Sequence, residues 1–481
     1  MVGILLSAQN QSESFCGTKD VDPWLDEYFA NMGIYATEES EVIYVPLTIH
    51  ILGTDEGEGY YRIDNLYESL CTLNKDFEDT QIQFYIQEPI NYINKTSWYD
   101  HPNFAQGIEM MRQSNVTGTA NCYIVANPAG NCGYYAGNGN AIALRKGCTD
   151  PTDHTWAHEL GHFFSLPHTF VGWEGIRWEY GKSAEDYEGA VRRQIERVNG
   201  TNCDAAADRF CDTPPDYLSY RWNCNGNSSS NEVMLDPDSI SFQADGSYFM
   251  SYSNDACMNR FSFEQMQAMR ANINSQRPEL ANESLPEPVI NDLIPENTLP
   301  TDSSVIPPFN STLSWDPVPG ATHYIIELSR LPNFSFIIER ERLNTNVFEL
   351  PDLIPGIRYY WRVKAMNNNS FCTSYTDRHM FTTSSLTATT TELENISWNM
   401  GRTVYYPSEL LNLVISSDKA MNLQWSVFTV NGKLLDNGNL MISEGRSVFV
   451  LPVNTHSVNG HLFIRLTNGK QQSVRRCMVL K

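Results

Sequence analysis

The sequence predicts a mixed α+β domain followed by two all-β sandwich domains. Three observations predict it. Branched-residue runs alternate with helix-periodic segments between residues 41 and 277. A Pro-, Glu- and Asn-rich stretch from Pro278 to Pro300 closes that region. Beyond it only short strands separated by turns remain. At 481 residues the chain is too long for one ordinary core, and roughly two to four domains are expected.

The elements follow in order. Residues 1–40 open with Met1-Val-Gly-Ile-Leu-Leu-Ser-Ala-Gln9, which reads either as the tail of a secretory leader or as a plain N-terminus, and continue as a polar, acidic stretch containing Cys16-Gly17. From Glu41 to Leu52 a β-branched run predicts a strand. Leu66, Leu70, Leu73 and Phe77 recur at helical spacing over 63–77, and Ile82–Ile86 alternates as a strand does. Asn121–Ala126 and Ala141–Leu144 read as strands separated by a Gly- and Asn-rich loop around Gly133–Asn140. Thr155–Ser165 reads as a helix, followed by a loop-rich region up to a last helix at Phe263–Ile273. Residues 278–289 are expected to be a linker.

Over 290–383 the strand texture resembles a fibronectin type III domain. Trp315 lies on an early strand, Leu353, Pro355 and Tyr359 form a corner, and Trp361 and Val363 alternate after it. A Thr- and Ser-rich link, Thr382–Thr391, leads to more short strands over 397–481. Their order, with Tyr406-Pro-Ser-Glu near the start and a basic end, resembles the C-terminal sorting domain of type IX secretion cargo. That resemblance implies the type IX secretion machinery as a partner. A generic β-sandwich is the alternative.

The formal net charge of −24 argues against nucleic acid or an anionic membrane surface as partner. No stretch is long and apolar enough to span a bilayer. Eleven cysteines without a CxxC pair suggest disulfides and an oxidising, extracellular setting. Cys203, Cys211, Cys224 and Cys257 allow three pairings, and an odd total leaves at least one thiol over.

The chemistry concentrates in His158-Glu-Leu-Gly-His162-Phe-Phe-Ser-Leu-Pro-His168. On a helix His158 and His162 lie one turn apart, about 6 Å along the axis, and share a face. Zinc takes neutral imidazoles and leaves one position open to water in a catalytic site. Glu159 flanks that face, where a base can take a proton from the activated water. Pro167 stops the helix, so the chain can turn and bring in His168 as the third ligand. His154 is expected to be structural or solvent-facing, because a fourth ligand would close the site.

The long histidine motif resembles that of the metzincin metallopeptidases. Cys211-Asp-Thr-Pro-Pro215 and Tyr248-Phe-Met-Ser-Tyr-Ser-Asn-Asp-Ala-Cys-Met-Asn-Arg-Phe261 resemble the matching segments of the pappalysin family, over about residues 45–275. The resemblance implies protein or peptide substrates and a set of roles. Met250 forms a hydrophobic floor under the metal, and Tyr252 donates to the oxyanion of the tetrahedral intermediate. Asp208, the Cys211 carbonyl and Thr213 match a structural calcium site, with a loop held by hydrogen bonds and disulfides as the alternative. Cys16 matches a zymogen thiolate that caps the zinc, although Phe15 stands where relatives have arginine. A structural disulfide is the alternative for Cys16. Asp255 lies in the turn of the specificity pocket and suggests Arg or Lys after the cut. Ser165 replaces the usual glycine, at a cost of about 1–2 kcal/mol if the left-handed conformation is kept. A surface adhesin with a non-catalytic zinc site, and a hydrolase of non-peptide amides, are the rival readings. The presence of Glu159 speaks against the first.

Overall fold

The computed structural model describes residues 14–18, 21–35, 41–290, 293–384, 393–406, 409–429, 433–453, 460–469 and 471–480. The leader expected at Met1–Gln9, most of the Thr382–Thr391 link and the Pro-Ser after Tyr406 lie outside them. Among the described residues no helix is long and apolar enough to cross a membrane.

The chain divides into two compact units. The first comprises Met1–Leu293 with Pro319–His323 and Ala365–Ser374, and the second holds the rest. The first unit is built on strands β1 (Ser14–Cys16), β2 (Ile43–Gly53), β3 (Ile82–Ile86), β4 (Asn91–Asn94), β5 (Ala120–Val125), β6 (Asn131–Ala136) and β7 (Ala141–Arg145). Among the described residues its α-helices of seven residues or more are α1 (Trp24–Ala30), α2 (Ile63–Asp76), α3 (Phe104–Ser114), α4 (Thr155–Phe163) and α5 (Phe263–Gln276). The sheet runs β1-β6-β7-β5-β2-β3, with β4 also on β2. β2, β3, β5 and β7 are parallel, which is why β2 and β5 read as continuous apolar runs buried along nearly their whole length. β6 runs antiparallel to β7, and β1 joins its outer edge in parallel.

β6 corrects the sequence reading, which placed a loop at Gly133–Asn140. The strand carries Tyr134 and Tyr135 and needs a residue without a side chain at Gly133. A Cβ at Gly133 would lie 2.8 Å from Cγ of Glu159, so glycine is what lets the strand pass over that carboxylate. The 278–289 stretch, expected as a linker, is tied down at Asn282, which exchanges backbone hydrogen bonds with Tyr44 (2.9 and 3.1 Å).

Four disulfides form: Cys71–Cys372, Cys132–Cys148, Cys203–Cys211 and Cys224–Cys257. Cys71 and Cys372 are 301 residues apart yet both belong to the first unit. With the Ile86 N–H to Asn368 carbonyl bond (2.9 Å) and the Tyr67–His323 ring contact, this bridge explains why that unit takes in segments from within the 290–383 region.

A five-stranded sheet, in the second unit except for its ends at His323 and Ala365–Met366, orders Ser304–Ile306, His379–Thr383, Arg358–Met366, His323–Ser329 and Ile337–Leu343, accompanied by the pair Thr312–Ser314 and Val347–Glu349. Trp315, Tyr359, Trp361 and Val363 are buried in it, and the Tyr359 hydroxyl accepts the Ile354 N–H at 3.0 Å, closing the tyrosine corner. The C-terminal strands form a three-stranded and a five-stranded sheet over a core that includes Trp398, Leu413, Ile415, Trp425, Val427 and Ile464. Leu411–Ser417 buries every second residue, as a strand with one core face does.

Candidate metal centre

Every residue of α4 is buried. The helix stops after Phe163, two residues short of the predicted end. The Ser165 N–H turns back to the His162 carbonyl and the Leu166 N–H to the Gly161 carbonyl, each at 2.9 Å. Ser165 has φ +78°, and Pro167 then prevents the helix resuming. The turn returns His168 to the face that carries His158 and His162. The His162 Nε2 atom lies 3.2 Å from that of His158 and 3.1 Å from that of His168.

The tautomers are fixed by partners that can only accept. Nδ1–H of His158 donates to the Phe249 carbonyl and Nδ1–H of His162 to the Leu166 carbonyl, both at 2.7 Å. Each Nε2 therefore presents a lone pair to the other. Burial holds all three imidazoles neutral: His162 is pushed down to about 4, and His158 and His168 well below the ordinary histidine value. Lone pairs this close repel unless a cation lies among them. A tetrahedron with metal–nitrogen bonds of about 2.0–2.1 Å has edges of about 3.3 Å, close to the spacings found. The donor set thus fits a zinc-like ion. Met250 is fully buried beneath α4, and a Cβ on Gly161 would collide with its Sδ. The glycine in the helix motif is what allows the methionine so close.

Glu159 is fully buried beside the three rings, and burial raises its carboxyl to about 8. Its Oε2 accepts from the Thr18 hydroxyl at 3.3 Å, and that hydroxyl also receives the Tyr135 N–H at 2.8 Å. The N-terminal segment therefore lies across the site. Cys16 Sγ and the three histidines offer ligand atoms all within 4.8 Å of one another. Cys16 is buried and outside any disulfide, and its Sγ accepts the Thr18 N–H at 3.2 Å. Burial, then the Glu159 charge, raises its thiol well above the usual value, so a thiolate there calls for a cation beside it. The Tyr252 hydroxyl donates to the Cys16 carbonyl at 3.2 Å. The chain's own peptide thus presents a carbonyl to the donor that the sequence reading assigned to a substrate's oxyanion.

Ser165 keeps the left-handed conformation, and its hydroxyl has two partners. It donates to Asp22 Oδ2 and accepts from the Asn272 side-chain amide, each at 2.6 Å. The serine at the glycine position thereby ties the turn to the N-terminal segment. A cavity of about 670 Å³ borders the site, lined in part by Thr18, Asp22, Tyr135, His162 and Ser165.

The other predicted residues lie apart from the histidines. Asp208 is buried and accepts from the Thr213 hydroxyl at 3.0 Å and the Phe210 N–H at 3.1 Å, while Cys211 is exposed and bonded to Cys203. Sequence reading missed Glu196. It is buried, its Oε2 has no partner, and burial with the charges of Asp208 and Asp216 raises it to about 9. No local motif marks it. His154 pairs with Asp76 at 2.8 Å and takes no part in the cluster. Asp255 is committed twice: one oxygen accepts the His154 N–H at 3.0 Å and the other pairs with Arg221.

No family model matches the chain. It is 24% identical over 274 residues to an extracellular metalloprotease of Colletotrichum graminicola, covering 52% of this chain and 84% of that protein. It is 26% identical over 286 residues to extracellular metalloprotease 1 of Coccidioides posadasii, covering 53% and 87%. Among solved structures, a promirolysin mutant from Tannerella forsythia aligns over 56% of this chain and 97% of its own, at 15% identity and a TM-score of 0.39. That likeness is too distant to carry an argument.

Proposed function

We propose that this chain is a secreted zinc-dependent endopeptidase, held in a latent state by its own N-terminal segment. The observation that carries the reading is the convergence of three neutral imidazoles, with His162 Nε2 3.2 Å from that of His158 and 3.1 Å from that of His168, beside a fully buried glutamate. The similarity to extracellular metalloproteases supports both the activity and the extracellular setting.

His158, His162 and His168 hold the ion, which when bound polarises a water and the scissile carbonyl. Glu159 takes the proton from the attacking water and delivers it to the leaving amine; its raised carboxyl value suits both tasks. Tyr252 steadies the oxyanion, and such a donor is commonly worth several kcal/mol to the transition state. Met250 supports the histidine-bearing helix from below.

Latency rests on three contacts. Cys16 would place its sulfur on the ion in place of water, Thr18 caps the Glu159 carboxylate, and Tyr252 is engaged by the Cys16 carbonyl. Departure of the segment frees all three together. Asp208, Thr213 and Glu196, with backbone carbonyls of the same loop, form a calcium site in this reading. Buried carboxylates without a positive partner call for a hard cation. The pappalysin-like subfamily and a C-terminal domain that directs type IX secretion complete the proposal, on the sequence resemblance.

The test compares the full chain with Glu159→Ala on casein, after the N-terminal segment has been released. The parent should cleave and the variant should lose about 10³-fold in rate while retaining one zinc. Equal cleavage by the two, or none by either with zinc bound, rejects the peptidase reading.

A further inference from the structure

Phe15, the residue before Cys16, is only 8% exposed. Its ring meets His158 edge-on at 5.1 Å and Tyr252 at 5.4 Å, and the Arg221 guanidinium lies 4.0 Å from its centre. It therefore fills a recess walled by a metal-site histidine, the Tyr252 ring and Arg221. The backbone around it lies in the path open to a substrate, with the Cys16 carbonyl against the Tyr252 hydroxyl and β1 paired along the edge strand β6.

Arg221 is fixed where it stands. Its guanidinium donates to the Ser253 carbonyl and pairs with the Asp255 carboxylate. Asp255 in turn spends its other oxygen on the His154 N–H, at the start of α4. Both oxygens of Asp255 are thus taken, and its charge is compensated inside the fold. An incoming lysine or arginine would meet a guanidinium first, and two buried like charges repel. An aromatic ring gains a cation–π contact with Arg221 and edge contacts with His158 and Tyr252.

We propose that this recess accepts an aromatic or bulky apolar side chain adjoining the scissile bond, that Arg221 sets this preference by neutralising Asp255, and that Phe15 occupies the recess as a substrate mimic. The proposal rests on the peptidase reading for its meaning. It replaces the Arg/Lys preference that Asp255 suggests when considered alone.

Two experiments decide it. The first needs no catalysis and uses the zinc-loaded full chain. The rate of iodoacetamide alkylation at Cys16 is read by peptide mapping, with the melting temperature as the folding control. Phe15→Trp should stay within about twofold of the parent, and Phe15→Arg should react about tenfold faster, because a second cation is driven from the recess. Adding Arg221→Ala to Phe15→Arg should return the rate to within about threefold of the parent, since Asp255 is then free to pair; that coupling is the signature of a direct interaction. Full protection in Phe15→Arg, or no recovery in the double variant, overturns the proposal. The second experiment profiles a peptide library with the zinc-loaded protein after its N-terminal segment has been released. Aromatic and bulky apolar residues should be enriched next to the cut, and Arg221→Ala should shift kcat/KM toward Lys and Arg by about tenfold. A Lys/Arg preference with Arg221 present overturns the proposal. Absence of any cleavage rejects the peptidase reading instead, and the alkylation cycle then decides the recess by itself.

Discussion

The first unit buries two clusters of ionisable side chains, and burial acts on them with opposite sign. At His158, His162 and His168 it lowers the proton affinity, so the imidazoles are neutral and ready to bind an ion at neutral pH. At Glu196, Asp208 and Asp216 it raises the proton affinity, so the ionised cluster strains the fold until something positive offsets it. In the proposed reading the histidine centre gains chemistry from its ion, whereas the carboxylate cluster gains stability from a cation. Near-complete burial would then serve reactivity in one place and structural dependence on an ion in the other.

The comparison breaks most readily through pH. The folded-state values of Asp216 (about 6) and Glu196 (about 9) are raised above unfolded carboxylate values. Their contribution to stability is therefore fully present below about pH 4 and is lost as pH rises through the folded values. In a calcium chelator the melting temperature of the full chain should fall between pH 5 and pH 9 by roughly 5–10 °C, the equivalent of about 2–3 kcal/mol. Added calcium should restore it, with a rescue that grows with pH. Calorimetry that finds the same melting point across that range, with and without calcium, would remove the cation from the account.

A smaller effect sharpens the other side. Tyr252→Phe removes one hydroxyl beside the histidine centre. It should lower kcat about 10²-fold while KM and the melting temperature stay near the parent values. A melting point that falls in step with kcat would make Tyr252 a packing residue.

The smallest effect concerns Ser165. Ser165→Gly relieves about 1 kcal/mol of backbone strain at φ +78°. It also removes the hydrogen bonds to Asp22 and Asn272, worth about 1 kcal/mol each. Overall stability should shift by no more than about 1 kcal/mol, and Cys16 should be alkylated about two to five times faster as the N-terminal segment loses its tie. An unchanged alkylation rate would mean that the serine serves the turn alone.

Much of the centre was legible in the sequence because its parts are local. His158, Glu159 and His162 share one helix, and Pro167 bends the chain so that His168 returns within a few residues. The strand textures of 290–383 and 397–481 were legible for the same reason, since alternation is a property of adjacent residues. The strand at Asn131–Ala136 looks like a loop in the sequence because Glu159 forces a glycine at position 133 and Gly- and Asn-rich residues follow it. Glu196 left no local signal, and its neighbours around Asp208 are marked only by the family resemblance of that segment. Asp255 suggests an Arg or Lys preference when considered alone, and the sequence does not reveal its pairing because Arg221 stands in a separate stretch of chain.

By itself the sequence determined that His158, Glu159, His162 and His168 can converge, and the β character of the C-terminal half, since each follows from periodicities of 3.6 or 2 residues and from a proline. Only the tertiary structure decided which cysteines join, that Thr18 and Cys16 lie against the histidine cluster, that the Phe249 carbonyl fixes the His158 tautomer, and that Arg221 cancels Asp255. These are pairings between residues far apart in the chain. They are selected by what each buried group needs to offset its desolvation, and no short window of sequence contains both partners.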